Sequence, residues 1–243
     1  MEQSRKKFLK NFLIGATSVP LILEACKKDS VSSGSGSGSG TTGSGTGGGT
    51  CSVVPTETEG PYPTHSPSSY VRTDIRDGST GVLMTMNITI QNTNNNCAAL
   101  AGAIVDVWHC DKDGNYSEYS SSSSLHFLRG RQTTDANGLV SFTTIFPGWY
   151  TGRCTHIHIH IFNSAGTSLK VTQISFPEGS GSAVQTVNSA AGQAYGYTKG
   201  MSGYTYAGSD GIFSDDTALV EQANVVGSLT GGYVLTHIIK VAA

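Results

Sequence analysis

Leu83-Met84-Thr85-Met86-Asn87-Ile88-Thr89-Ile90-Gln91 alternates apolar and polar side chains without a break. Successive side chains on a strand point to opposite faces, so Met84, Met86, Ile88 and Ile90 share one face while Thr85, Asn87, Thr89 and Gln91 share the other. The pattern predicts a half-buried strand. Working outward, Ala101, Ala103, Val105 and Val107 form one face of a second strand over 101–109. Val140 and Phe142 alternate with Ser141 and Thr143 in a third, and Ile157, Ile159 and Ile161 alternate with three His in a fourth. Tyr233 to Val241 makes a final strand. Asp111-Lys112-Asp113-Gly114-Asn115 and Asp135-Ala136-Asn137-Gly138 supply turns between runs. Helical periodicity is scarce. These features predict an all-β protein, an antiparallel β-sandwich. Residues 179–232, rich in Gly, Ser and Tyr, read as long active-site loops that serve as a wall or lid.

Composition narrows the function. The chain has 243 residues and a formal net charge of -2, from 15 Lys and Arg against 17 Asp and Glu. Such a balance gives no broad cationic field, which argues against a nucleic-acid partner. Residues 1–25 read as a signal peptide. Arg5, Lys6, Lys7 and Lys10 precede a mostly apolar run from Phe12 to Leu23 that is too short to span a bilayer. Leu23-Glu24-Ala25-Cys26 resembles a bacterial lipobox, with Glu24 a departure from it. Ser4-Arg5-Lys6-Lys7-Phe8-Leu9-Lys10 resembles a twin-arginine export motif in which Lys6 replaces the second Arg. The expectation is an exported lipoprotein facing the periplasm or cell surface, touching membrane only through a lipid on Cys26. Residues 26–50 then form a flexible linker, purely Gly, Ser and Thr from 32 onward. The folded domain is expected over 51–243, and its oligomeric state stays open.

Setting Cys26 aside leaves Cys51, Cys97, Cys110 and Cys154, an even number that suggests two disulfides in an exported domain. Cys97 and Cys110 flank the strand at 101–109, which at about 3.3 Å per residue keeps them roughly 30 Å apart, too far to bridge. Of the remaining pairings, Cys51–Cys97 with Cys110–Cys154 is the expectation. Asp111 to Asn115 has Gly in the wrong place for a calcium loop and reads as a β-turn. His65, His109, His126 and His237 read as surface or packing residues.

Arg153-Cys154-Thr155-His156-Ile157-His158-Ile159-His160 carries the chemistry. Side chains two apart on a strand share a face at roughly 6.6 Å, so two imidazoles can tilt toward one metal lying about 2 Å from each nitrogen. Three cannot, and spacing leaves His156/His158 and His158/His160 both open. Tyr150 lies just upstream and Tyr116 follows the Gly114-Asn115 turn. A phenol, with a pKa of about 10, becomes a ligand only to a strongly Lewis-acidic cation. Hard phenolate oxygen suits Fe(III), as in the tyrosinate ligand of catalase.

These stretches stand in a distinctive order. Asp106-Val107-Trp108-His109-Cys110-Asp111 leads to Gly114-Asn115-Tyr116-Ser117, then to Leu128-Arg129-Gly130-Arg131-Gln132-Thr133-Thr134-Asp135. Phe146-Pro147-Gly148-Trp149-Tyr150-Thr151-Gly152-Arg153 and His156-Ile157-His158 follow. With Thr58-Glu59-Gly60-Pro61-Tyr62 near the start, the series resembles the intradiol ring-cleavage dioxygenases, closely over about 54–180. The resemblance implies a non-haem Fe(III) cofactor held by Tyr116, Tyr150, His156 and His158, which leaves His160 a bystander. It also implies a small aromatic diol and O2 as partners. Tyr150 would accept a substrate proton, Arg153 would stabilise the anionic ring, and Gln173 would hydrogen-bond the reacting oxygen. Leu100-Ala101-Gly102-Ala103-Ile104-Val105-Asp106 also resembles transthyretin-like surface modules that bind without metal, and this is the second reading. Such a module needs neither the paired Tyr and His nor Arg153.

Overall fold

The computed structural model describes residues 51–243. The signal peptide, Cys26 and the linker to residue 50 lie outside the described residues. Nine strands build two sheets: β1 (Leu83–Asn92), β2 (Ala98–Ala99), β3 (Ile104–Trp108), β4 (Arg129–Thr133), β5 (Leu139–Ile145), β6 (His156–Phe162), β7 (Ser168–Ser175), β8 (Asn224–Ser228) and β9 (Gly232–Val241). One sheet runs β2-β1-β9-β8, with β5 also paired to β1, and the other runs β4-β3-β6-β7. This is the all-β sandwich that the alternation implies. One ladder departs from the antiparallel expectation: β1 and β9 are parallel, with Met84 opposite Tyr233 and Asn92 opposite Val241. Side-chain alternation fixes which face a strand buries and carries no information about its direction.

Met84, Met86, Ile88 and Ile90 are fully buried, and across from them lie Val105, Val107, Ile157, Ile159 and Ile161. Burying each such side chain contributes about 1.5–3 kcal/mol, so this layer dominates the favourable side of folding. The second strand is shorter than its apolar pattern suggests, because Ala101 and Gly102 form a turn before Ile104. Between β7 and β8 the chain is mostly irregular. It carries α1 (Ala183–Val187), the one α-helix among the described residues, and two 3-10 turns at Ala190–Tyr195 and Ala207–Ser209.

The segment before β1 bridges both sheets. Val54 N–H donates to Lys240 O at 3.1 Å on one side, and Glu57 N–H donates to Val171 O at 3.0 Å on the other. Cys51 is bonded to Cys97 with Cα atoms 5.7 Å apart, fastening the start of this segment beside the β1–β2 turn. The second expected disulfide is absent: Cys110 and Cys154 are buried free thiols. They pack in different apolar clusters, Cys110 with Trp108 and Tyr116, and Cys154 in the main core. A buried thiol behaves as a small hydrophobe and needs no bond to be accommodated.

Candidate metal centre

Two loops that carry tyrosines dock on each other. The first, ahead of Tyr116, is folded by Asp111, whose Oδ1 accepts from Asp113 N–H at 2.9 Å and Asn115 N–H at 2.8 Å. The second, ahead of Tyr150, is tied to it where Gly148 N–H donates to Asp111 O at 3.0 Å. The approach leaves no room for side chains. A Cβ on Gly148 would stand 2.4 Å from Lys112 O, and one on Gly114 would stand 2.5 Å from Trp149 O. Because these neighbours are backbone atoms, Gly148→Ala is expected to push the two loops apart. The expected result is a melting temperature several degrees lower and weakened metal retention, read by calorimetry and metal analysis. A variant that melts and binds metal like the parent would contradict this.

The loops deliver Tyr116 and Tyr150 to the face of β6 that bears His156 and His158. Tyr116 Oη lies 3.3 Å from His156 Nε2 and 3.2 Å from His158 Nε2. The two Nε2 atoms are 3.1 Å apart, and Tyr150 Oη is 3.4 Å from His156 Nε2. Four atoms at these separations suit one central ion, since a tetrahedron with bonds of about 2 Å has edges of about 3.3 Å. His160 stands apart, contacting Ser168 at 2.8 Å and Glu59 at 2.9 Å. The structure thus favours the first of the two His pairs that spacing allows.

The protons of the site also suit a cation. His156 Nδ1 lies 2.7 Å from Cys154 O. A carbonyl only accepts, so the ring proton sits on Nδ1 and Nε2 turns a lone pair toward the phenols. Burial, with Arg153 next, lowers the His156 pKa to about 3. Burial, with His156 next, holds His158 well below the usual range. Both rings are therefore neutral donors. Burial likewise raises Tyr116 well above the ordinary phenol value, and it raises Tyr150 against the opposing pull of Arg153. Without an ion the neutral phenols can donate to the imidazole lone pairs. A Lewis-acidic cation at the same point would take the two nitrogens and both oxygens as ligands, displacing the phenol protons. His158 Nδ1 is buried with no hydrogen-bond partner, and its ring lies flat on Trp108 at 5.1 Å and 4°, so packing orients this imidazole. Among the described residues no three His, Cys, Asp or Glu side chains are grouped to hold a metal ion, so a centre here depends on the phenols. Imidazole and phenolate together fit iron, and Cys110 offers no thiolate because burial pushes it up to about 12.

A family model described as "Dioxygenase" matches residues 58–198, more than half of the chain. The chain belongs to the intradiol ring-cleavage dioxygenases. Among solved structures, an intradiol ring-cleavage dioxygenase from Tetranychus urticae superposes with a TM-score of 0.65 at 26% identity, covering 79% of this chain and 95% of that one. Catechol 1,2-dioxygenase 2 of Acinetobacter lwoffii is 37% identical over 89 residues, covering 30% of this chain and 32% of the relative. A chlorocatechol 1,2-dioxygenase of Pseudomonas putida is 34% identical over 85 residues, with 32% and 33% covered. The chain spans about a third of the length of the curated relatives it matches.

In this chain the other two residues singled out by sequence meet beside the four donors. Arg153 Nη2 donates to Gln173 Oε1 at 2.6 Å, and Gln173 Nε2 donates to Thr58 O at 2.9 Å. Burial raises the Tyr150 pKa against the Arg153 charge, and Phe213 faces both the guanidinium and the His156 ring, so Arg153 stands near the donor cluster. Two surrounding residues, Tyr62 and Arg129, lie in the family-resembling motifs, which by themselves assign them no role. Tyr62 stacks on Tyr116 at 4.6 Å and meets Tyr150 edge-on at 6.4 Å, walling the site with aromatic surface. Arg129 is buried, and it donates to Tyr62 O and Thr64 Oγ1 at 3.0 Å each and to Ser117 O at 2.6 Å. Of the other histidines, His109 is a packing residue, bonded to Cys110 O at 2.8 Å and Thr144 Oγ1 at 2.7 Å, while His65 and His126 are largely exposed.

Proposed function

We propose that this chain holds a non-haem ferric ion through Tyr116, Tyr150, His156 and His158. With O2 it cleaves the ring of a small aromatic diol between the two hydroxyl-bearing carbons, giving a cis,cis-muconate-type product. The observation that carries this reading is the convergence of two phenol oxygens and two imidazole nitrogens at 3.1–3.4 Å, with the His156 proton held on the far nitrogen. Bound there, ferric iron supplies Lewis acidity toward the catechol oxygens and an electron-poor centre that activates the ring toward O2. The chain's own residues do the rest. Tyr150, the less buried of the two phenols, would be held as phenolate by the ion and would then accept a proton from the entering diol. Arg153 is cationic at every working pH and stabilises negative charge spreading over the ring. Gln173 orients polar atoms beside it, and the Tyr62 ring, stacked on Tyr116, helps exclude water.

Oxygen-electrode screening of the iron-loaded protein with catechol, protocatechuate, hydroxyquinol and caffeate tests the reaction and ranks the substrates. Uptake with at least one diol and a muconate-type product is expected. No uptake with any of the four would sink the proposal.

The same reading has the enzyme exported and tethered by a lipid on Cys26. The Cys51–Cys97 disulfide supports an oxidising compartment. Cys26→Ser is expected to move the protein from the membrane fraction to the soluble one, and a variant that stays with the membrane contradicts the tether.

A further inference from the structure

We propose that Asp210 is a positioning residue that aims Arg153 at the substrate. Its carboxylate accepts Arg153 Nε–H at 2.9 and 3.0 Å, holding one edge of the guanidinium, while Nη2 is held by Gln173. This inference rests on the proposed ring cleavage, because it deepens the role of Arg153 at that same site.

Asp210 lies just after the 3-10 turn at Ala207–Ser209, far from Arg153 in sequence and in a stretch that reads as plain loop. Its side chain is fully buried. A buried carboxylate is tolerated only when paired and hydrogen-bonded. Besides Arg153, it accepts Cys154 N–H at 2.8 Å and Ile212 N–H at 2.9 Å. Burial pushes this carboxyl up, but the two amides and Arg153 more than offset that and hold it below the ordinary range.

The rest of the loop acts on the same point. Phe213 faces the guanidinium at 5.8 Å and the His156 ring at 6.4 Å. The Tyr204 hydroxyl accepts Thr155 N–H at 2.9 Å and donates to Glu178 at 2.6 Å. Residues 204–213 therefore clamp the start of β6. A guanidinium is a rigid planar fork, so fixing Nε on Asp210 and Nη2 on Gln173 sets its plane. The guanidinium then stands beside the donor cluster, with Phe213 facing both it and the His156 ring. Asp210 does not itself touch that reaction centre.

The test is a double-mutant cycle on the iron-loaded full chain, using Asp210→Ala, Arg153→Ala and the double variant. Catechol turnover and equilibrium binding of 4-nitrocatechol, followed by its visible spectrum, are the two readouts. Asp210→Ala is expected to lower kcat roughly 10–100-fold, the range for losing an outer partner, with a smaller change in KM. The double variant is expected to be no worse than Arg153→Ala alone, in turnover and in binding, because residues acting as one unit are not additive. Iron content and visible colour should stay at the parent level. Additive losses, or Asp210→Ala behaving like the parent, overturn the proposal. Asp210→Asn is made alongside, since it keeps the volume. If both Asp210 variants lose iron, the residue holds the ligand strand rather than Arg153, and the proposal is again overturned. Failure of the parent protein to turn over any diol would instead fall on the ring-cleavage reading.

Discussion

His158→Ala is expected to abolish the proposed iron binding, and catechol-dependent oxygen uptake should fall below detection. His158 Nε2 lies 3.1 Å from His156 Nε2 and 3.2 Å from Tyr116 Oη, central among the donors. Losing only an outer partner of a metal ligand costs roughly 10–100-fold in affinity, so losing a ligand costs more. The fold should survive. His158 sits on the face of β6 opposite the Ile157, Ile159 and Ile161 layer, and the cavity opens toward Trp108 rather than into the main core. Tyr150→Phe keeps that packing and removes one oxygen, so it isolates the ligand effect from any cavity. Both variants should show loss of iron and colour with a melting profile near that of the metal-free parent. A His158→Ala protein that keeps iron and turnover would show that the donors are misassigned.

Arg129→Ala is expected to be strongly destabilising, on the order of 3–5 kcal/mol. The side chains of Arg129 and Glu118 are 1% and 3% exposed and pair at 3.4 Å. Truncating the cation leaves a buried carboxylate short of its charge partner. It also removes the donors that hold Tyr62 O, Thr64 Oγ1 and Ser117 O, so the aromatic wall over the proposed metal centre loosens as well. Denaturant melts would read the loss. Adding Glu118→Gln to Arg129→Ala should recover part of it, because the orphaned charge is then gone. Acidity gives an independent check. Burial pushes the Glu118 carboxyl up, but the Tyr70 hydroxyl, the His65 amide and Arg129 more than offset this and leave it below the ordinary value of 4.5. A depressed carboxyl contributes stability that is complete above 4.5 and is lost as pH falls through the folded value. The parent should therefore shed this contribution as pH falls below about 4.5, while Arg129→Ala, with the Glu118 depression relaxed, should lose less stability over the same acid range. Identical acid melts of parent and variant would argue against the pairing.

The particular residues explain what could be read from the chain. Met84 to Ile90 and Ile157 to Ile161 show the sandwich plainly, because a strand with one wet and one dry face writes its period into the sequence. The shared strand face of the histidines is readable for a related reason, but spacing leaves His156/His158 and His158/His160 both open. Tyr116 and Tyr150 stand out as ligands only through the resemblance to the dioxygenase family. What depended on distant contacts was hidden. The parallel course of β9 beside β1 is set by where the preceding loop delivers the chain. Counting Cys110 and Cys154 as a pair assumed that a thiol in an exported domain seeks a partner, whereas each is satisfied by burial in its own cluster. Asp210 reaches Arg153 from a Gly- and Ser-rich stretch with no periodicity, so its role becomes visible only in three dimensions.

The most direct measurement is metal analysis of the purified chain together with its visible spectrum. Stoichiometric iron and a reddish phenolate-to-iron charge-transfer band, both lost on chelation and regained with added iron, are the expected result. A well-folded, colourless protein that takes up no iron would contradict the account at its centre.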